Sequence, residues 1–91
     1  MKYKLAPTKP FIKMLKAQPN SLEKQIKKTL RHLQENPVHP SLRSKKYQSI
    51  KGVWESSINM QYRVLWQYGV DQPDTIILLA IGDHEIFKPQ K

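Results

Sequence analysis

The sequence contains no cysteine and only three glycines among its 91 residues. Without cysteine the chain forms no disulfide and offers no thiolate to a metal ion. It has no glycine-rich phosphate loop, which argues against a nucleotide hydrolase. No apolar run approaches the ~18 residues of a membrane span, and residues 1–5 lead into Pro7 without the apolar stretch of a signal peptide. We therefore expect a cytoplasmic protein with no membrane partner.

Acidic residues are also scarce. Asp and Glu number 7 against 16 Lys and Arg, which gives a formal net charge of +9. Residues 1–52 carry 13 basic and 2 acidic residues, a net charge of +11, whereas residues 53–91 carry 3 and 5, a net charge of −2. A basic half indicates a polyanionic partner such as nucleic acid, the ribosome or an anionic membrane. A basic surface also keeps a protein soluble, so charge alone leaves both interpretations open.

Large apolar residues are numerous enough for one folded core. Leu, Ile, Val and Phe make up 23 of the 91 residues, about a quarter. This share exceeds the roughly 20% below which a charged chain stays disordered. A chain of this length suits one domain and is too short for two. We expect residues 1–91 to form a single domain.

Two helices are predicted in the first half. Thr8 can cap a first helix whose apolar face holds Phe11, Met14 and Leu15, and Pro19 ends it. Asn20 has capping-box spacing to Glu23 and predicts the start of a second helix. That helix has an apolar face and ends before residues 36–37; its repeating residues are Leu22, Ile26, Leu30 and Leu33.

Four strands are predicted around these helices, over residues 2–6, 53–58, 62–68 and 75–81. The last segment is almost wholly apolar, which is typical of a central strand buried on both faces, and Gly82 ends it. Short turns join the last three strands into an antiparallel meander. The order β-α-α-β-β-β predicts an α+β fold in which a helical hairpin packs on one face of a four-stranded, mostly antiparallel sheet.

A long basic loop is predicted over residues 37–52. It has no acidic residue between Glu35 and Glu55, and it carries Arg43, Lys45, Lys46 and Lys51. His39 lies in this loop and His32 on the second helix, where we interpret them as a loop and a surface residue. Three histidines without paired carboxylates do not predict a metal site, and we expect no cofactor.

The chain resembles the RelE/ParE superfamily of type II toxin–antitoxin toxins. The order of elements agrees over essentially the whole length. Local signatures agree too: Trp54 opens a strand, Tyr62-Arg63-Val64 begins the next, and the last strand closes in Gly82-Asp83-His84, followed by Phe87. The resemblance leans toward the RelE, YoeB and YafQ branches, which cut messenger RNA on the ribosome.

The resemblance implies roles for two residues. The residue matching Arg63 contacts phosphate, and the position matching His84 acts in acid catalysis or charge stabilisation. Both roles suit the side chains, because a guanidinium is permanently charged and an imidazole can give or take a proton near neutral pH. RelE carries two catalytic lysines at positions that we match to Trp54 and Ser56, so its way of activating the nucleophile does not carry over.

Glu55 is the substitute candidate for the general base. Successive strand residues point to opposite faces, so Glu55 and Trp54 cannot both face the substrate without a bulge. Either Trp54 faces the substrate, or Trp54 is core and Glu55 faces the open side. We expect Trp66 to be core. The remaining predicted substrate-binding residues hold the RNA backbone or stack on bases, and they are Arg43, Lys45, Lys46, Lys51, Trp54 and Phe87.

Three functions remain open from the sequence. The first is a ribosome-dependent messenger RNA endoribonuclease that is neutralised by an antitoxin and uses metal-free attack of a 2′-OH on the scissile phosphate. The second is a ParE-like toxin that poisons gyrase. The third is an inactive module that binds RNA or the ribosome. The expected partners are an antitoxin, the ribosome and messenger RNA.

Overall fold

The computed structural model describes residues 2–87, which fold into two helices and a five-stranded sheet. None of its helices is long and apolar enough to cross a membrane. The predicted tail beyond Phe87 lies outside the described residues. In chain order the elements are β1 (Lys4–Pro7), α1 (Lys9–Lys16), α2 (Glu23–Glu35), β2 (Lys45–Lys46), β3 (Trp54–Ser57), β4 (Tyr62–Tyr68) and β5 (Thr75–Asp83).

The sheet has the strand order β1-β5-β4-β3-β2, with β1 and β5 parallel and the other neighbours antiparallel. The α+β class, the two helices and the mostly antiparallel sheet are confirmed. The predicted count of four strands is corrected to five, because Lys45–Lys46 pairs with β3 at the edge of the sheet. A two-residue, exposed strand has no apolar alternation, so hydrophobic periodicity could not detect it.

Thr8 caps α1 as predicted. Its Oγ1 accepts a hydrogen bond from the Phe11 backbone N–H at 3.3 Å and donates one to the Leu78 carbonyl oxygen at 2.9 Å. The capping box predicted at Asn20 does not form, because Asn20–Leu22 is a 3₁₀ turn and α2 begins at Glu23. The Glu23 side chain instead forms an ion pair with Lys27 at 3.0 Å.

The main core lies between the helices and one face of the sheet. Alternate residues of β4 and β5 point into it, among them Val64, Trp66 and Ile76, and they meet Phe11 and Leu33 from the helices. Leu65 points to the opposite face, where it packs with Val53 and Phe87 in a smaller cluster. This alternation assigns each residue of β3 and β4 to one of two faces.

Helix α1 borders β5 where β1 stops. The pairing of β1 with β5 ends at Leu78, and beyond that point the Gln18 side chain donates to the Ile81 carbonyl oxygen at 3.5 Å. The prediction that Gly82 ends the last strand is wrong, because β5 continues to Asp83. A Cβ atom at Gly82 would lie 2.7 Å from Ile86 Cδ1, so a larger residue there would displace the exposed Ile86 side chain.

Candidate functional site

A cleft of about 290 Å³ opens on the face of the sheet that points away from the helices. The strands β2, β3 and β4 and the 3₁₀ turn His84–Phe87 supply its walls. Most of its lining is charged or polar, and the lining residues are Lys45, Lys46, Tyr47, Gln48, Glu55, Arg63, His84 and Phe87. The cleft therefore brings together the three predicted catalytic residues Glu55, Arg63 and His84, the first and last of which are 29 positions apart along the chain.

Glu55 and Arg63 form an ion pair in the cleft. The Arg63 Nε lies 3.4 Å from Glu55 Oε2, and the two side chains are 19% and 14% exposed. The Arg63 Nη1 also donates to the carbonyl oxygens of Asn59 at 2.6 Å and Tyr62 at 3.1 Å. These contacts fix the guanidinium at the cleft wall, where a bound phosphate could reach it.

His84 stands where β5 ends and the 3₁₀ turn begins. Its Nδ1 lies 3.2 Å from the Gln61 carbonyl oxygen and 3.4 Å from Asp83 Oδ1, and its Nε2 lies 3.3 Å from Glu85 Oε2. Oxygen acceptors thus face both ring nitrogens. A ring nitrogen that carries a proton can therefore donate to an oxygen on either side of the imidazole.

Asp83 supports the His84 turn. Its Oδ2 accepts from the Gln61 side chain at 2.9 Å, and its Oδ1 accepts from the Glu85 backbone N–H at 2.8 Å. These hydrogen bonds, together with the nearby His84 and Arg63, lower the pKa of the Asp83 carboxyl group below its ordinary value. Asp83 therefore stays ionised beside the imidazole at neutral pH.

The two lysines of β2 lie at the rim of the cleft. Lys45 is paired in register with Glu55, and Lys46 with Trp54, and both lysines are exposed. Lys45 shares the cleft-facing side of the sheet with Glu55, whereas Lys46 shares the side of Trp54 and borders the cleft at its rim. Lys45 and Arg63 therefore place positive charge on two sides of the carboxylate. The contact of both lysines with an RNA backbone stays a prediction.

Trp54 is placed on the other side of the sheet. Its ring stacks on Trp66, with centroids 5.8 Å apart, and it packs against the main core. The prediction that Trp54 stacks on substrate bases is therefore corrected, and the alternative with Trp54 in the core and Glu55 on the open side holds. Trp66 is fully buried, which confirms its assignment to the core.

Ser56 shares the core-facing side with Trp54 and is fully buried. The match of RelE's catalytic lysines to positions 54 and 56 would place those lysines in the core. The residues of β3 that face away from the helices are Glu55 and Ser57.

The other three predicted substrate-binding residues differ in their surroundings. Phe87 lines the cleft, but it is only 8% exposed and packs with Val53 and Leu65. Arg43 has a left-handed backbone, with φ of 49°, and lines a neighbouring cavity that it shares with Arg63. Lys51 lies in an exposed turn and does not line the cleft.

Sequence reasoning missed Tyr47 and Gln61. The Tyr47 hydroxyl donates to the Phe87 carbonyl oxygen at 2.8 Å, and its ring meets the Phe87 ring edge-on, so it ties the basic loop to the turn behind His84. Gln61 holds Asp83 and His84, as described above. No local pattern marks either residue, because their partners lie 40 and more than 20 positions away.

His32 and His39 form a second cluster, outside the cleft. Their rings are stacked with centroids 4.7 Å apart, and the Ser41 hydroxyl lies 3.2 Å and 2.7 Å from their Nδ1 atoms. The Nδ1 of His39 also accepts from the Ser41 backbone N–H at 3.1 Å. The cluster ties α2 to the start of the basic loop, which shows a structural role for both rings.

Three solved structures share this fold over nearly the whole chain. YafQ from E. coli has a TM-score of 0.76 at 13% sequence identity, covering 96% of this chain and 99% of that one. The archaeal RelE–RelB complex from Pyrococcus horikoshii has a TM-score of 0.73 at 17% identity, with 91% and 96% covered. The RelB–RelE antitoxin–toxin complex from Methanococcus jannaschii has a TM-score of 0.70 at 22% identity, with 89% and 92% covered.

Sequence comparison alone finds no relative: no family profile matches the chain, and no curated protein matches it significantly. The likeness to the solved structures is one of fold, because their identities lie between 13% and 22%. It confirms the resemblance stated from the sequence at that level. The chain therefore has the RelE-like toxin fold.

Proposed function

We propose that residues 1–91 form one toxin domain of a type II toxin–antitoxin system, a cytoplasmic ribosome-dependent messenger RNA endoribonuclease that inhibits translation. One observation carries the proposal: Glu55, Arg63 and His84 line a single cleft together with Lys45 and Lys46. These side chains are the base, the anion-binding groups and the acid that metal-free RNA cleavage needs. The RelE-like fold around the cleft supports the same conclusion.

The first half of the reaction uses Glu55 and Arg63. The Glu55 carboxylate takes the proton from the 2′-OH, and the 2′-oxygen then bonds to the adjacent phosphorus. Negative charge builds on the phosphorane oxygens, where Arg63 and the rim lysines Lys45 and Lys46 stabilise it. The entering phosphate competes with Glu55 for the guanidinium, so substrate binding loosens the ion pair and leaves the carboxylate available as a base.

The second half uses His84. The bond between phosphorus and the 5′-oxygen breaks, and the imidazolium gives its Nε2 proton to that oxygen. The products are a 2′,3′-cyclic phosphate and a free 5′-OH. Nδ1 keeps its proton toward the Gln61 carbonyl oxygen, because a carbonyl only accepts. Exchange of protons with water restores both residues.

The partners follow from the charge distribution. Residues 1–52 carry a net charge of +11, which suits ribosomal RNA and an acidic or amphipathic segment of a cognate antitoxin. Two of the solved structures with this fold are complexes of RelE with RelB, which is consistent with an antitoxin partner. Messenger RNA is the proposed substrate, and the ribosome presents it to the cleft.

The test expresses the chain from a tightly controlled promoter and maps RNA ends on translated messages. We expect in-frame cuts at the ribosomal A site that disappear in Arg63→Ala and His84→Ala. Glu35→Gln is the control, since Glu35 is exposed at the far end of α2, and it should cut like the parent protein.

Other outcomes overturn the proposal in recognisable ways. Growth arrest with intact messages and an induced DNA-damage response indicates the gyrase-poisoning alternative. Intact messages and normal growth, with the protein shown to be folded and present, indicate a module that binds RNA without cutting it. Cleavage that persists in both Ala variants shows that the cleft is not the active site.

A further inference from the structure

We propose that Asn59 is a positioning residue that sets the geometry of both Arg63 and His84. The inference rests on the proposed function, because it assigns a role within that active site. Asn59 does not line the cleft itself. It lies in the turn between β3 and β4 and acts through its hydrogen bonds with that turn.

The Asn59 side chain closes this turn. Its Oδ1 accepts from the backbone N–H of Gln61 at 2.8 Å and from that of Tyr62 at 2.9 Å. Its Nδ2 donates to the Gln25 side chain at 2.7 Å, which anchors the amide against α2. Asparagine suits this position because its short side chain can accept a hydrogen bond from the backbone N–H two residues later, as a backbone carbonyl does in a turn.

The turn controls His84 through one peptide unit. The N–H of Tyr62 and the carbonyl of Gln61 belong to the same planar peptide group, so a bond that fixes the N–H also fixes the carbonyl. That carbonyl oxygen accepts from the His84 backbone N–H at 2.8 Å and lies 3.2 Å from His84 Nδ1. Asn59 Oδ1 therefore fixes one of the two acceptors at Nδ1. The other acceptor is Asp83 Oδ1 at 3.4 Å, and Asp83 is itself held by the Gln61 side chain, so the same turn favours a proton on Nδ1.

The same residue holds Arg63 through its main chain. The Asn59 carbonyl oxygen accepts from Arg63 Nη1 at 2.6 Å, on the side of the guanidinium away from the Glu55 bond at Nε. The direction of this carbonyl depends on the turn that the Asn59 side chain closes. One residue thus couples the anion-binding group to the acid.

The experiment compares Asn59→Ala with Asn59→Asp, which keeps an Oδ1 acceptor but has no Nδ2 donor. Gln25→Ala is the matched control, because it removes only the Nδ2 contact. For each variant we would measure single-turnover cleavage on ribosomes, affinity for ribosomes, and the ¹⁵N spectrum of the His84 ring at mildly alkaline pH, where imidazole is neutral. Thermal unfolding checks the fold, and midpoints within about 5 °C of the parent protein are expected because these hydrogen bonds are solvent-accessible.

We expect Asn59→Ala to slow cleavage about tenfold to a hundredfold without weakening ribosome binding, because misplaced groups cost rate rather than affinity. Its His84 spectrum should change from one Nδ1–H tautomer to a mixture. Asn59→Asp and Gln25→Ala should keep the parent spectrum and stay within about threefold of the parent rate.

An unchanged His84 tautomer in a folded Asn59→Ala variant overturns the positioning role, whatever the cleavage rate. A parent protein that cuts no RNA overturns the proposed function, whereas a tautomer change in that protein still supports the control of His84 by Asn59. The two failures are therefore distinguishable.

Discussion

Single residues of β3 decide which chemistry the cleft can perform. Glu55 faces the cleft and pairs with Arg63, whereas Trp54 and Ser56 face the core. The buried Ser56 hydroxyl accepts from Trp66 Nε1 at 2.8 Å and lies 2.7 Å from the Ser44 hydroxyl. Adjacent residues thus have separate places: Glu55 belongs to the site of the proposed chemistry, and Trp54 and Ser56 belong to the core.

Glu55→Gln should lower the cleavage rate by about 10²–10⁴-fold, because the amide cannot take the 2′-OH proton. Single-turnover cleavage of messenger RNA on ribosomes measures this. Glu35→Gln, at the end of α2, removes a carboxylate far from the cleft and should leave the rate unchanged. Equal rates for Glu55→Gln and the parent protein would remove Glu55 from the mechanism.

Ser56→Ala should reduce the free energy of unfolding by about 1–3 kcal/mol, since it leaves the buried Trp66 N–H without its acceptor. Ser57→Ala is the matched control on the other side of the strand, and a change within about 0.5 kcal/mol is expected there. Urea unfolding followed by tryptophan fluorescence measures both. A loss no larger for Ser56→Ala than for Ser57→Ala would contradict the role of this hydrogen bond.

At the scale of elements, a short edge strand and two turns position the side chains that line the cleft. The edge strand β2 brings two lysines to the rim, the turn before β4 holds Arg63, and the turn after β5 carries His84. The junction between β1 and α1 anchors the opposite edge of the sheet, because Thr8 bonds both Phe11 and Leu78. Thr8 and Leu78 are 70 positions apart, whereas the turn before β4 holds Arg63 from four residues away.

Thr8→Ala should lower the free energy of unfolding by about 1–2 kcal/mol, because it removes the cap of α1 and the bond to β5. Thr8→Ser keeps the hydroxyl and should recover most of this loss. Urea unfolding again supplies the measurement. A Ser variant as unstable as the Ala variant would show that the Thr8 methyl group, rather than its hydrogen bonds, supports the junction.

The cluster that joins α2 to the basic loop predicts a pH dependence. Burial first, and then His39, Lys28 and Arg31, lower the pKa of His32 below its ordinary value near 6.5. Because the unfolded chain then binds the proton more readily, the contribution of His32 to stability is present above the unfolded pKa and is lost as the pH falls below it.

The measurement is the unfolding temperature at about pH 7.5 and about pH 5, on the two sides of the ordinary histidine pKa. The parent protein should lose more stability on acidification than His32→Gln does. The same loss in both proteins would assign the pH dependence to other groups.

At the scale of the whole molecule, most of the positive charge and the three proposed catalytic residues lie in different halves of the chain. Residues 1–52 hold a net charge of +11, whereas Arg63 and His84 lie in the second half, whose net charge is −2. Only two lysines from the basic half line the cleft. Most of the positive charge thus lies outside the cleft, and in the proposed function it serves docking to ribosomal RNA or an antitoxin.

Affinity for a short single-stranded RNA should fall as salt rises, and a variant with Lys45→Ala and Lys46→Ala should reduce the slope of log K against log salt by about 1–2. Fluorescence anisotropy at several salt concentrations measures the slopes. Lys9→Ala, on α1, should leave the slope for this short RNA unchanged. Equal slopes for the double variant and the parent protein would place the RNA elsewhere.

Several local features could be predicted because they depend on neighbours in sequence. The Thr8 cap, the apolar face of α2 and the strand Tyr62–Tyr68 follow from capping chemistry and periodicity. The strand Lys45–Lys46 was missed because it depends on a distant partner, since it exists only where β3 lies beside it. The 3₁₀ turn Asn20–Leu22, by contrast, is a local feature that capping-box spacing did not reveal.

The sequence by itself determined the fold class and the charged half, because alternation, helical spacing and composition act locally. The motifs Tyr62-Arg63-Val64 and Gly82-Asp83-His84 carried the resemblance to RelE-like toxins. Only the tertiary structure decided that Glu55 and not Trp54 enters the cleft, and that Asn59 and Gln61 hold the residues expected to do chemistry. The physical reason is that strand pairing sets which side of the sheet each residue faces. That pairing joins residues far apart in the chain, and no local pattern encodes it.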